Sequence, residues 1–283
     1  MSDRAARIAY LASNYREGMK FLKSVLLLGV LLSAQTGRPF AAAQDIPVDQ
    51  DNVRKARTLL DQAIQAMGGQ AWLNIEEMTQ EGRTYSFHLG RPNSIGVLYF
   101  RFYRFPDKDR IELTKKRDVA YVYNGDKGYE ITYKGTRFQE PKDVVDYLRR
   151  RQFSLEWVLR RWINEPGVAL FYDGATVAAE KPAEQVTILN AKNQGVTLAI
   201  DSSTHLPLKK TYSWRDPTDQ LRNTEDEIYD NYRPVQGIMT PFSITRFYNG
   251  DMSNQRFLNS VSYNQQIPDS KFDVQVTYTP KQP

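Results

Sequence analysis

Ser94-Ile95-Gly96-Val97-Leu98-Tyr99-Phe100-Arg101-Phe102-Tyr103-Arg104-Phe105, then Pro106-Asp107-Lys108-Asp109, then Arg110-Ile111-Glu112-Leu113-Thr114-Lys115-Lys116, is the stretch whose reading decides the fold. Successive side chains of a strand point to opposite faces, and the first run is aromatic on both. It therefore needs a cover on each side, a helix on one and solvent or a ligand on the other. The Pro-Asp-Lys-Asp segment turns the chain into a second strand, Arg110–Lys116. Upstream, from Met78, residues Thr79, Glu81, Arg83, Tyr85, Phe87 and Leu89 alternate with polar or small residues, and Arg91-Pro92-Asn93 is a turn. Downstream, Asp118–Tyr123 and Tyr129–Tyr133 form a predicted hairpin about Asn124–Gly128, in which Gly125 and Gly128 are expected at positive φ.

Helical spacing flanks this block. Val53, Ala56, Leu59, Leu60, Ala63, Ile64 and Met67 recur as on one helix face, with Asp51 or Asn52 as cap and Gly68-Gly69 as the stop. Pro141–Arg151 starts with the proline that suits a first helical turn. Leu155, Val158, Leu159 and Trp162 mark a second inserted helix that stops before Glu165-Pro166-Gly167. The remainder reads as a meander: Val168–Tyr172, Glu184–Leu189, Val196–Asp201, Leu208–Trp214, Asn223–Tyr232, Ile238–Tyr248 and Met252–Tyr263. The expected fold class is α+β. One large curled antiparallel sheet carries an N-terminal helix and a two-helix insertion over its concave face.

The N-terminus speaks for export. Met19-Lys20-Phe21-Leu22-Lys23, the apolar run Val25–Ala34, and Ala41-Ala42-Ala43 before Gln44 have the order of a secretory signal peptide. The run is about half the ~20 residues that span a bilayer. We therefore expect residues 1–43 to be an extension plus a cleaved signal (19–43), and residues 44–283 to be a single β-rich domain. No cysteine is available for lipid attachment or disulfides, so a soluble, unanchored periplasmic protein is expected. The chain has 38 basic and 33 acidic residues; loss of six and two of these with residues 1–43 leaves 32 and 31. That balance lacks the footprint of a nucleic-acid binder.

Chemistry for an enzyme is scarce. His88 and His205 are the only histidines, and no G-x-S-x-G elbow, G-x-G-x-x-G turn or P-loop occurs, so no catalytic residue, metal or cofactor is assigned. Glu225, Asp226, Glu227 and Asp230 read as a solvated strand face, because only alternate members can converge. Arg149-Arg150-Arg151 fan around a helical turn and read as a solvated lid face, with contact to phosphate headgroups or a partner as the functional alternative.

Tyr103-Arg104-Phe105-Pro106 with Arg110-Ile111-Glu112, and Tyr123-Asn124-Gly125-Asp126-Lys127-Gly128-Tyr129, resemble a strand turn and a hairpin of the LolA-like superfamily of periplasmic lipoprotein carriers. Tyr229–Arg233, Gly237-Ile238, Pro241-Phe242 and Ile267–Phe272 resemble the C-terminal half of its sorting-protein-like members, so the likeness spans roughly residues 50–275. It implies that the curled sheet is an incomplete β-barrel, and that the protein is a carrier that holds acyl chains in an apolar cavity. Tyr99, Phe100, Phe102, Tyr121, Tyr123, Leu155, Leu159, Trp162, Tyr212 and Trp214 are the expected lining, and Arg104, Arg110, Arg149 and Arg160 the expected headgroup or partner contacts. The expected partners are a lipid or acylated lipoprotein, an inner-membrane donor and an outer-membrane acceptor, bound by a monomer. An envelope sensor or scaffold of the same fold, acting through a protein partner, is the alternative.

Overall fold

The structure, a computed structural model, describes residues 49–278. The extension, the signal peptide at 19–43 and the expected Gln44 terminus lie outside them.

Helix α1 (Gln50–Met67) buries Ala56, Leu59, Leu60, Ala63, Ile64 and Met67, the stripe its spacing dictates. Its cap is Asp49, whose side chain accepts from the backbone N–H groups of Asp51 and Asn52, the two residues the sequence suggested as caps. Asn52 instead binds the backbone of Tyr172 through both ends of its amide, which ties the helix to the sheet. Gly68, at φ +127°, ends the helix, and a single turn, α2 (Gln70–Leu73), follows with Trp72 buried.

The strands are β1 (Glu77–His88), β2 (Arg91–Pro92), β3 (Val97–Arg104), β4 (Lys108–Leu113), β5 (Val119–Asn124), β6 (Lys127–Thr132) and β7 (Gly135–Phe138). After the insertion come β8 (Ala169–Ala178), β9 (Lys181–Leu189), β10 (Gly195–Asp201), β11 (Pro207–Arg215), β12 (Arg222–Val235), β13 (Ile238–Tyr248) and β14 (Asp251–Tyr263). All are antiparallel in one 14-stranded sheet of order β7-β6-β5-β4-β3-β1-β14-β13-β12-β11-β10-β9-β8, with β2 paired to β1. The sheet does not close: β7 and β8 are its ends. The first long strand thus sits mid-sheet, joined to the last by the Met78–Tyr263 to Ser86–Asn254 register.

Two strands escape the sequence reading. β2 is two residues long and β7 four, too short for any period to show. The turn before β4 is also tighter than expected, because Lys108 and Asp109 already pair with Arg104 and Tyr103.

Between β7 and β8 the chain forms α3 (Pro141–Gln152), α4 (Leu155–Arg160) and a 3₁₀ turn, Trp162–Asn164. Ser154 caps α4 by accepting from Trp157 N–H. Val158, Leu159, Trp162 and Ile163 are fully buried with α1 and the inner residues of β9–β11, such as Val186, Ile188 and Leu198. A second cover lies on the other face of the sheet. There the segment after β14 places Phe272 against β4 and β5, and Asn124 donates to its carbonyl oxygen at 2.8 Å.

Candidate functional site

The inner faces of β1, β3–β5 and β12–β14, partly covered by α3 and α4, form a cavity of roughly 430 Å³ that remains partly open. Its size falls in the lower half of the about 300–1,000 Å³ usual for small-molecule sites. Tyr99 and Tyr103 reach it from β3, Tyr121 and Tyr123 from β5, Ile244 from β13 and Leu155 from α4.

Of the expected lining, the structure brings together Tyr99, Tyr121, Tyr123 and Leu155. Phe100 and Phe102 occupy the alternate positions of β3 and take the opposite face, where Arg117 lies 3.7 Å over the Phe100 ring and Lys271 lies 4.1 Å over Phe102. Arg117 from the β4–β5 turn and Lys271 from the C-terminal segment, not a ligand, answer their need for a cover. Leu159 and Trp162 belong to the packed core under α1. Tyr212 stacks on Phe153 at 4.3 Å and on Trp214 at 5.6 Å, outside the cavity, and the Arg149 guanidinium covers Trp214 at 4.2 Å.

Of the expected headgroup arginines, only Arg160 lines the cavity, with its guanidinium 4.0 Å over Phe105. Arg104 is held on the outer face by Glu77 at 2.8 Å, by Asp269 and by the Ile267 carbonyl. Arg110 pairs with Glu112 at 2.7 Å and reaches the Lys271 carbonyl. Arg149 pairs with Asp146 at 2.8 Å. The three consecutive arginines are not a solvated face, as the sequence suggested: Arg150 lies 3.9 Å from buried Glu225, and Arg151 donates to the Gly125 carbonyl at 2.8 Å.

The charged interior was missed from the sequence. Glu225 and Glu227 point inward while Asp226 faces out toward Thr211 and Lys209, so half of the acidic cluster is buried rather than solvated. Glu227 accepts from Lys210 at 2.7 Å, Tyr229 at 2.8 Å and Arg246 at 3.3 Å. Burial raises its proton affinity, but Lys210, Arg246 and Arg256 more than offset this and hold the carboxyl well below the usual range. Across the cavity Asp109 takes a two-pronged bond from Arg101, at 2.9 and 2.8 Å, and the Tyr147 hydroxyl at 3.0 Å. Tyr147 also stacks on Tyr123 with ring centroids 3.4 Å apart. Burial pushes the Tyr123 phenol up to about 12, so it stays neutral.

No family model matches the sequence, and no curated protein matches it significantly. Solved structures do. A DUF1329 family protein from Desulfovibrio piger superposes with TM-score 0.53 at 12% identity, over 77% of this chain and 97% of that one. A putative outer membrane lipoprotein-sorting protein domain from Vibrio parahaemolyticus gives 0.52 at 8% identity, over 78% and 97%. The chain has a LolA-like fold. A LolA superfamily protein from Nitrosomonas europaea superposes with TM-score 0.47 at 13% identity, over 77% and 97%. The LolA-like sheet is what aligns β3–β5 opposite β12–β14, so that their inner side chains meet across one cavity. Among the described residues, no group of His, Cys, Asp and Glu could hold a metal ion, and no helix is long and apolar enough to cross a membrane.

Proposed function

We propose that this chain is a non-enzymatic carrier of the cell envelope, exported to the periplasm, that holds the acyl part of a lipid or lipoprotein in the cavity of its half-open barrel. One observation carries the reading: a partly open cavity walled by tyrosines, aliphatic side chains and arginines lies between a curled sheet and an inserted helical pair. Two neighbours of the same fold support it, one of them described as a lipoprotein-sorting domain.

Energetics shape what such a carrier does. Each CH₂ withdrawn from water contributes about 0.8 kcal/mol whether protein or bilayer receives it. Apolar burial alone therefore gives the cavity no advantage over a membrane, and selection falls to the headgroup or to a donor protein. Native mass spectrometry of protein purified from periplasm tests the reading. A stoichiometric acyl-bearing species, displaced by a neutral fluorescent acyl probe, is expected. An empty cavity in a chain that co-purifies with a stoichiometric protein would overturn it in favour of a sensor or scaffold.

A further inference from the structure

The cavity is too cationic for an acyl chain alone. Six arginines line it (Arg101, Arg150, Arg151, Arg160, Arg246, Arg256), against the carboxylates of Asp109, Glu156 and Glu227. Three of these cations are closely engaged: Arg101 by Asp109, Arg151 by backbone carbonyls, Arg246 by Glu225 and Glu227. Of the other three, Arg160 lies over Phe105 with no ion pair among the described residues, Arg150 comes no nearer than 3.9 Å to Glu225, and the third is Arg256. Its nearest carboxylate oxygen among the described residues is Glu227 Oε1, 3.9 Å away, and that oxygen already accepts from Arg246. Lys210, Arg150, Arg246 and Arg256 thus share Glu225 and Glu227, which leaves the cluster two positive charges in excess. A largely desolvated charge with only a distant, shared partner is costly, and the cost is relieved when an anion joins it.

A second observation places that anion. Buried polar atoms nearly always find partners, and the exceptions call for an explanation. Four such atoms without a hydrogen-bond partner belong to residues lining this one cavity: Arg256 Nε, the Tyr99 hydroxyl, Gln80 Oε1 and Arg246 Nε, the last 3.3 Å from Glu225 Oε1 but out of hydrogen-bond alignment. Three of the four can donate. The strands explain their convergence. Gln80 and Thr84 on β1 lie between Tyr99 on β3 and Arg256 on β14, because Thr84 pairs with Arg256 and β1 joins both strands. Burial also lowers the proton affinity of Arg256, with Arg246 adding to that and Tyr99 opposing it.

We infer that Arg256, with Arg246 and the Tyr99 hydroxyl, seats the oxyanion headgroup of a single-chain acidic amphiphile, whose chain lies along the tyrosine-lined part of the cavity. This rests on the carrier reading and names its ligand class. The volume has room for one chain with its headgroup, and a guanidinium matches the planar oxygens of a carboxylate or phosphate.

The test is competition against a neutral fluorescent acyl probe at pH 8, with decanoate, decyl phosphate, decanol and inorganic phosphate as competitors. Decanoate or decyl phosphate is expected to compete about tenfold or more better than decanol, as one charge-assisted contact allows. Arg256→Met is expected to abolish that margin and leave decanol unchanged; Arg256→Lys keeps part of it. Tyr99→Phe costs the acids a few-fold and the alcohol nothing. Thermal melts verify that each variant is folded. Equal competition by acid and alcohol in the parent protein overturns the headgroup seat and leaves the carrier reading standing. Inorganic phosphate competing as well as decyl phosphate reassigns the site to a free anion. If the probe itself fails to bind, the carrier reading fails first.

Discussion

Gly125 sits at φ +62° as the first of the two residues that turn β5 into β6, and its position opens on space rather than on neighbours. A positive φ at the first central residue is what a tight hairpin turn asks of glycine. Gly128 differs from the expectation: it lies in β6 with ordinary extended backbone, and a Cβ there would come within 2.8 Å of Val144 Cγ2. Its need for glycine is the close packing of α3. Gly125→Val is expected to cost about 1–2 kcal/mol, a melting shift of roughly 2–8 °C in a domain of this size, with probe selectivity unchanged; an unaltered melting temperature would refute the turn. Trp162, only 2% exposed and edge-on to Phe153 at 5.2 Å, is core rather than cavity wall. Trp162→Ala is therefore expected to cost about 3–5 kcal/mol in urea unfolding. A loss under about 1 kcal/mol, together with a gain in probe uptake, would show that its face moves.

The inserted helices divide their labour at the level of elements. α4 turns Val158 and Leu159 into the core and offers Leu155 and Arg160 to the cavity, so most of its apolar stripe is spent on folding. α3 buries no residue completely and is held to the sheet by the Tyr147–Asp109–Arg101 chain and the Tyr147–Tyr123 stack. It is accordingly the better candidate for a movable cover. Tyr147→Phe keeps the stack but removes a hydrogen bond to a charged group, worth about 1.5–3 kcal/mol. We expect faster release of a fluorescent acyl probe in stopped-flow mixing, with the equilibrium fold intact. Identical release rates would show that α3 stays closed during exchange.

For the molecule as a whole, the buried charges make stability depend on pH. Glu227 has its carboxyl held below the ordinary value of 4.5. A depressed value means that its contribution is complete above the unfolded value and is lost as pH falls through the folded one. Urea midpoints should therefore be flat from about pH 7 to 5 and fall steadily below about 4.5. Glu227→Gln is expected to lower the midpoint at pH 7 and to shallow the acid slope. A slope unchanged by that substitution would remove Glu227 from the acid transition.

The sequence by itself determined the class of the fold and nearly every element, because α1 repeats its apolar residues at helical spacing and the strands from β1 to β14 alternate or end at Gly, Asn or Pro. Both are local patterns, written over five to eighteen neighbouring residues. It also showed that β3 needs two covers. Which of its two aromatic sets meets the cavity was decided only when Arg117 of the β4–β5 turn covered Phe100, Lys271 of the C-terminal segment covered Phe102, and Tyr99 and Tyr103 were left inside. The interior charges lie further from view. Lys210, Glu227, Arg246 and Arg256 stand on four adjacent strands, and a lone charge on a strand reads as solvated until the register sets it beside its partners. Glu227 faces Arg246 because β12 and β13 pair at those residues, and Arg256 joins them from β14 one strand beyond. Burial of such a group is favourable only when all of its partners arrive together, and that convergence belongs to the tertiary structure alone.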